Sequence, residues 1–140
     1  MTGEWHWDDE SIPSTDVLYR HVPRKTRLDP ITGEWSLTLA AFTADEMRED
    51  GWSIYREGLM RRHGLTISDI EASGSAPREV WAFEVADVRC VHGCGVIDQE
   101  DRSKLPLGAA HGLVRCDSPR PTKRKIAELR NRLIDRARLA

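Results

Sequence analysis

Cysteine, tyrosine and phenylalanine are scarce in this 140-residue chain, at three, two and two residues. An odd cysteine count (Cys90, Cys94, Cys116) in a sequence that opens on Glu4, Asp8, Asp9 and Glu10 excludes a disulfide framework as the expected scaffold. That opening has neither the basic n-region nor the apolar h-region of an export leader, so the expected location is the cytoplasm. Long apolar runs are absent as well. Stretches such as Val80-Trp81-Ala82-Phe83 are far too short to span a bilayer, and no membrane association is expected. Several chemical signatures are missing too: a Walker-type phosphate loop, a dinucleotide fingerprint after a strand, and a Gly-x-Ser-x-Gly elbow. His6, His21, His63, His92 and His111 are scattered, with no pair at the spacing by which a helix binds metal.

What is present suits one globular domain: 39% hydrophobic and 31% charged residues, with a net charge of -2. That net charge disfavours general nucleic-acid binding, yet the charge is uneven. Residues 1–50 lean acidic, whereas residues 121–140 are strongly basic. Alternation and β-branched content predict strands over 16–22, 35–39, 52–55, 79–91 and 111–116, with a restart at Val96-Ile97. Thr43 and Glu46 have the spacing of a capping box, closed by Gly51, and further helical turns are expected over 57–63 and 66–71. Residues 23–34 read as a basic loop and 72–77 as a flexible one. Thr122 caps a helix predicted to run to the C-terminus, with Ile126, Leu129, Leu133 and Ala137 as its apolar stripe. The expected fold is α+β: a small, curved, largely antiparallel sheet with short helices on one side and a long C-terminal helix. Its parts would be an acidic tryptophan arm (1–15), a core (16–116), a linker (117–121) and a basic amphipathic helix (122–140).

Four features could carry chemistry. Cys90, Cys94, His111 and Cys116 offer soft ligands for zinc, although four-residue spacing departs from the usual knuckle. The competing reading makes the thiols small buried hydrophobes, and no cofactor is the expectation. The basic helix, through Lys123, Arg124, Lys125 and Arg130, could meet phosphates or an acidic protein surface, or it could simply be solvated. Arg20, His21, Ser36, Glu57 and His111 could form a polar site on the sheet. A cation on a first strand, a serine on a second and a later glutamate is how ADP-ribosyltransferase-like folds hold NAD. Finally, Trp5 and Trp7 lie outside the apolar runs, where indoles anchor partners or cover a sheet edge.

Leu18-Tyr19-Arg20, Ala40-Ala41-Phe42, the stretch from Trp52 through Ser53-Ile54-Tyr55-Arg56-Glu57 to Leu59, and Ala110-His111 together resemble a group of short bacterial proteins. Those carry a Leu-Tyr-Arg start, a Ser-x-Ala-Phe segment, a Leu-Ser-Val segment and a late Ala-His, and have no assigned activity. The likeness covers about residues 16–116. It implies a bacterial accessory protein and places Arg20, Phe42, Ser53 and His111 in a common frame; Cys90 and Cys94 lie outside that pattern.

The leading expectation is a non-enzymatic interaction protein, binding a protein partner or itself through the arm and the basic helix. A small-ligand or nucleotide site on the sheet is the alternative, and nucleic-acid binding through the helix a third.

Overall fold

The computed structural model describes residues 4–23, 26–28, 31–33, 35–73 and 78–140. Among these residues eight strands and five α-helices follow in the order β1 (Val17–Pro23), β2 (Thr26–Leu28), β3 (Trp35–Leu37), α1 (Ala44–Glu49), β4 (Trp52–Arg56), α2 (Glu57–Arg62), α3 (Ile67–Ala72), β5 (Arg78–Glu84), α4 (Val85–Arg89), β6 (Cys94–Asp98), β7 (His111–Cys116), α5 (Lys123–Arg136) and β8 (Arg138–Leu139). Short 3-10 turns occupy Leu39–Ala41, Arg102–Lys104 and Leu107–Ala110. Six strands form one antiparallel sheet, β6-β7-β4-β1-β5-β8, and β2 pairs with β3 apart from it. The fold is thus α+β, as the strand and helix patterns imply.

Helices cover both faces of the sheet, not one. Alternation along β1 sends Leu18 and Val22 to one side, where they join Trp52, Ile54, Trp81, Phe83, Val96 and Val114 beneath α5. Tyr19 points to the other, with Tyr55, Met60, Ile70, Val80, Leu107 and Ala110. Two covered faces explain why β5 is apolar on both sides. Ile126, Leu129 and Leu133 are at most 1% exposed, so α5 closes the larger core. Removing such side chains costs about 2–5 kcal/mol each.

Three expectations change. The strand read over 79–91 stops at Glu84, where the chain turns into α4. Glu84 and Asp87 form a reciprocal capping box there, and Val85 and Val88 bury at helical spacing. The terminal helix ends at Arg136, after which Arg138 and Leu139 pair with Ala82 and Trp81 as β8. The stretch read as a basic loop contributes β2 to a hairpin with β3. Residues 24, 25, 29, 30 and 34 of that stretch, and 74–77 of the loop expected over 72–77, lie outside the described residues.

The acidic arm is docked along the edge strand β6. Asp9 N–H donates to Val96 O at 2.8 Å, and Val96 N–H donates to Asp8 Oδ1 at 3.0 Å. This occupies backbone groups that an open edge would offer to another chain. Gly95 permits the approach, because a Cβ there would lie 2.3 Å from that of Asp8. Arg89 ties the segment down, donating to Asp8 Oδ1, Asp9 O, Ile12 O and Ser14 Oγ. Further back, Trp5 Nε1 donates to Cys116 O at 2.8 Å, and the Arg115 guanidinium lies 4.1 Å from its ring centroid.

Arg89→Ala is expected to release the arm. Limited proteolysis should then cut before residue 15 much faster than in the parent, with a stability loss of about 1–3 kcal/mol. Unchanged cleavage would show that Arg89 does not hold the arm.

Candidate functional site

Beyond the Tyr19–Tyr55 pair, the pairing of β1 with β4 ends. Two charged side chains take up the backbone of Ser53 at this gap. Its N–H donates to Glu46 Oε2 at 3.0 Å, and its carbonyl accepts from Arg20 Nη1 at 2.8 Å. Arg20 in turn grips both Glu46 oxygens (Nη2–Oε1 2.9 Å, Nη1–Oε2 3.2 Å) and donates Nε to Ala41 O at 2.9 Å. The guanidinium also packs 4.9 Å from the Phe42 ring centroid. Glu46 is where Thr43 directs it, since Thr43 Oγ1 accepts from Glu46 N–H and starts α1. The expected capping box forms only by half, because the Glu46 carboxylate serves Arg20 and Ser53.

With its backbone held, Ser53 presents its hydroxyl to His111 on the opposite side of the sheet from Leu18. Oγ lies 2.5 Å from His111 Nε2, and His111 Nδ1 lies 2.7 Å from the carbonyl oxygen of Gln99. A carbonyl oxygen only accepts, so Nδ1 carries the proton. In the neutral ring Nε2 is then the acceptor, and Ser53 donates to it. Tyr55, cross-strand from His111, meets the imidazole edge-on with ring centroids 5.8 Å apart. Ser53 and His111 are both half-buried, which leaves them reachable. The Glu46 carboxyl is held below its ordinary value: burial opposes this, but the Arg20 hydrogen bond and charge outweigh it, aided by Ser53 N–H and the field of His111.

The residues proposed from sequence for a polar site are not gathered in one place. Arg20 is 6% exposed, with its donors spent on Ala41, Ser53 and Glu46. His21, on the other face, lies 3.3 Å from Ser73 through Nδ1. Ser36 sits on β3 in the separate two-stranded sheet, and its side chain lies outside the described residues. Glu57 opens α2 and pairs with Arg61 at 2.6 Å. His111 belongs to the site. Ser53, Glu46 and the Gln99 carbonyl were missed by spacing alone. Arg20, Phe42, Ser53 and His111 form one connected cluster.

The candidate zinc ligands do not converge. Cys94 and Cys116 meet with sulfurs 3.9 Å apart, but Cys90 is exposed and bonds to Asp87 O. His111 lies at the far end of β7 from Cys116, about 17 Å away at ~3.3 Å per residue. Among the described residues no group of three His, Cys, Asp or Glu side chains could hold a metal. As for the partner surface, Trp5 is committed to the sheet and Trp7 is half-buried. Lys125 Nζ donates to His92 O at 2.6 Å, Arg130 is half-buried, and Lys123 and Arg124 are exposed.

Because the Glu46 carboxyl is lowered on folding, its stabilisation is full above its ordinary value of 4.5 and is lost as pH falls through the folded value. The melting temperature should therefore fall as the pH drops below 4.5. Glu46→Gln should be less stable than the parent at pH 7, and the gap should narrow as the pH drops below that value. A constant gap would contradict the role given to Glu46.

No protein-family model, curated protein or solved structure matches the chain, so the Ser53–His111 arrangement stands on its own chemistry.

Proposed function

We propose that the protein is a small enzyme of the acyl-transfer class, acting on esters or thioesters at the sheet face, with Ser53 as nucleophile and His111 as base. The observation that carries this reading is the Ser53 Oγ–His111 Nε2–Gln99 O series, at 2.5 and 2.7 Å. It has the nucleophile–base–orienter logic of a triad, with a backbone carbonyl in place of the third carboxylate. In the first half-reaction Ser53 Oγ attacks the acyl carbon while His111 Nε2 takes its proton and passes it to the departing alkoxide or thiolate. In the second, His111 takes a proton from a water whose oxygen attacks the acyl carbon, the Oγ–acyl bond breaks, and the proton passes to Ser53 Oγ as the acid leaves. Glu46, held ionised by Arg20, supplies negative charge near the imidazolium that forms.

A fluorophosphonate probe should label Ser53, as read by peptide mass spectrometry, and p-nitrophenyl acetate should give an acyl-enzyme. Ser53→Ala and His111→Ala should each lower turnover by at least about a thousandfold while keeping the fold. An unlabelled Ser53 in folded protein would overturn the reading.

A second reading keeps the partner-binding role for the start of α5. It is supported by exposed Lys123 and Arg124, with Arg48 and Arg120 lining an adjacent cleft. Deleting 122–140 would also remove core side chains, so charge reversal is the cleaner probe. Lys123→Glu with Arg124→Glu should abolish salt-sensitive association with an acidic partner protein and leave the melting temperature nearly unchanged. Retained association would remove this reading.

A further inference from the structure

Two thiols face each other where β6 begins and β7 ends, away from Ser53. Cys94 and Cys116 are direct cross-strand partners. The bonds from Asp117 N–H to Gly93 O and from Gln99 N–H to His111 O mark 93/117 and 99/111 as hydrogen-bonded pairs. Alternation then makes 94/116 a non-hydrogen-bonded pair, the type whose Cα atoms approach to about 4.5 Å and whose side chains come closest. That separation falls within the range a disulfide spans. The sulfurs are 3.9 Å apart and both thiols are free.

We propose that Cys94 and Cys116 are an oxidisable dithiol that closes to a cross-strand disulfide in the presence of a hydroperoxide. One thiol of the pair attacks first and the other resolves. The sulfurs face each other in a hydrogen bond that favours a thiolate on the accepting one against the opposing effect of burial, and the Lys125 ammonium lowers both thiols. The thiolate attacks an oxygen of hydrogen peroxide, the O–O bond breaks, and a sulfenic acid forms with hydroxide, which takes up the proton that thiol had lost. The second cysteine then attacks the sulfenic sulfur, the S–S bond forms, and the hydroxyl leaves as water with the second cysteine's proton. Both sulfurs lose one electron each, and the peroxide is reduced to two waters.

The link would fasten the end of β7 to the start of β6 directly beneath the arm, because the Cys116 carbonyl accepts the Trp5 indole. Cys90 is exposed and has no such partner, so it serves as an internal gauge of oxidant dose. The full chain would be treated with hydrogen peroxide, denatured, alkylated and mapped without reduction. The expected result is a Cys94–Cys116 linked peptide, a mass loss of about 2 Da at those residues, and a raised melting temperature that dithiothreitol reverses. Cys90→Ser should keep the link, and Cys94→Ser or Cys116→Ser should abolish it. Full alkylation of Cys94 and Cys116 at a dose that has already oxidised Cys90 would overturn the proposal, as would links made only through Cys90.

Discussion

The Arg20–Glu46 pair is the interaction on which the site depends. Where β1 leaves β4, a strand would normally show an unpaired N–H and C=O, which is costly once water is excluded. Here a carboxylate accepts from the one and a guanidinium donates to the other. A buried ion pair is often no better than a hydrophobic substitute, because desolvation offsets attraction. This pair has a further use: it holds the Ser53 backbone where β4 has no β1 partner, and the hydroxyl faces His111. The two faces of the sheet are coupled at this point, with charge on the α5 side fixing backbone whose side chain lies on the other.

Arginine plays a related part at the chain's opposite margin. Arg89 gathers oxygens from residues 8, 9, 12 and 14, and Arg115 holds His6 O and Asp50 while stacking on Trp5. Planar guanidinium donors suit such multi-point capture better than lysine would. The acidic arm thus meets cations of the core, and the cations at the start of α5 remain outside that arrangement. Among the described residues no helix is long and apolar enough to cross a membrane.

Much of the fold was legible because local rules acted alone. β7 occupies the stretch expected as the last strand, 111–116, Thr122 starts α5, and Thr43 starts α1. Misreadings arose where one local pattern suited two structures. Val85 and Val88 fit a strand or a helix, and only the Glu84–Asp87 box decides between them. Glu46 at capping-box spacing was drawn away by a cation 26 residues earlier. Helices on both faces follow from long-range packing that composition does not encode. The site was hardest, since a lone serine in an alternating strand has no signature and its histidine lies 58 residues on. No spacing rule joins Ser53 to His111; only the pairing of β4 with β7 brings them together.

The most direct test of the central claim is the tautomer of His111, read from long-range proton–nitrogen correlations at pH values where the ring is neutral. The account predicts a proton on Nδ1, bonded to the Gln99 carbonyl, with Nε2 as acceptor, and a disturbed Nε2 signal in Glu46→Gln and Ser53→Ala. A proton on Nε2 in the parent would contradict it, because Ser53 would then be accepting a hydrogen bond and would have no base.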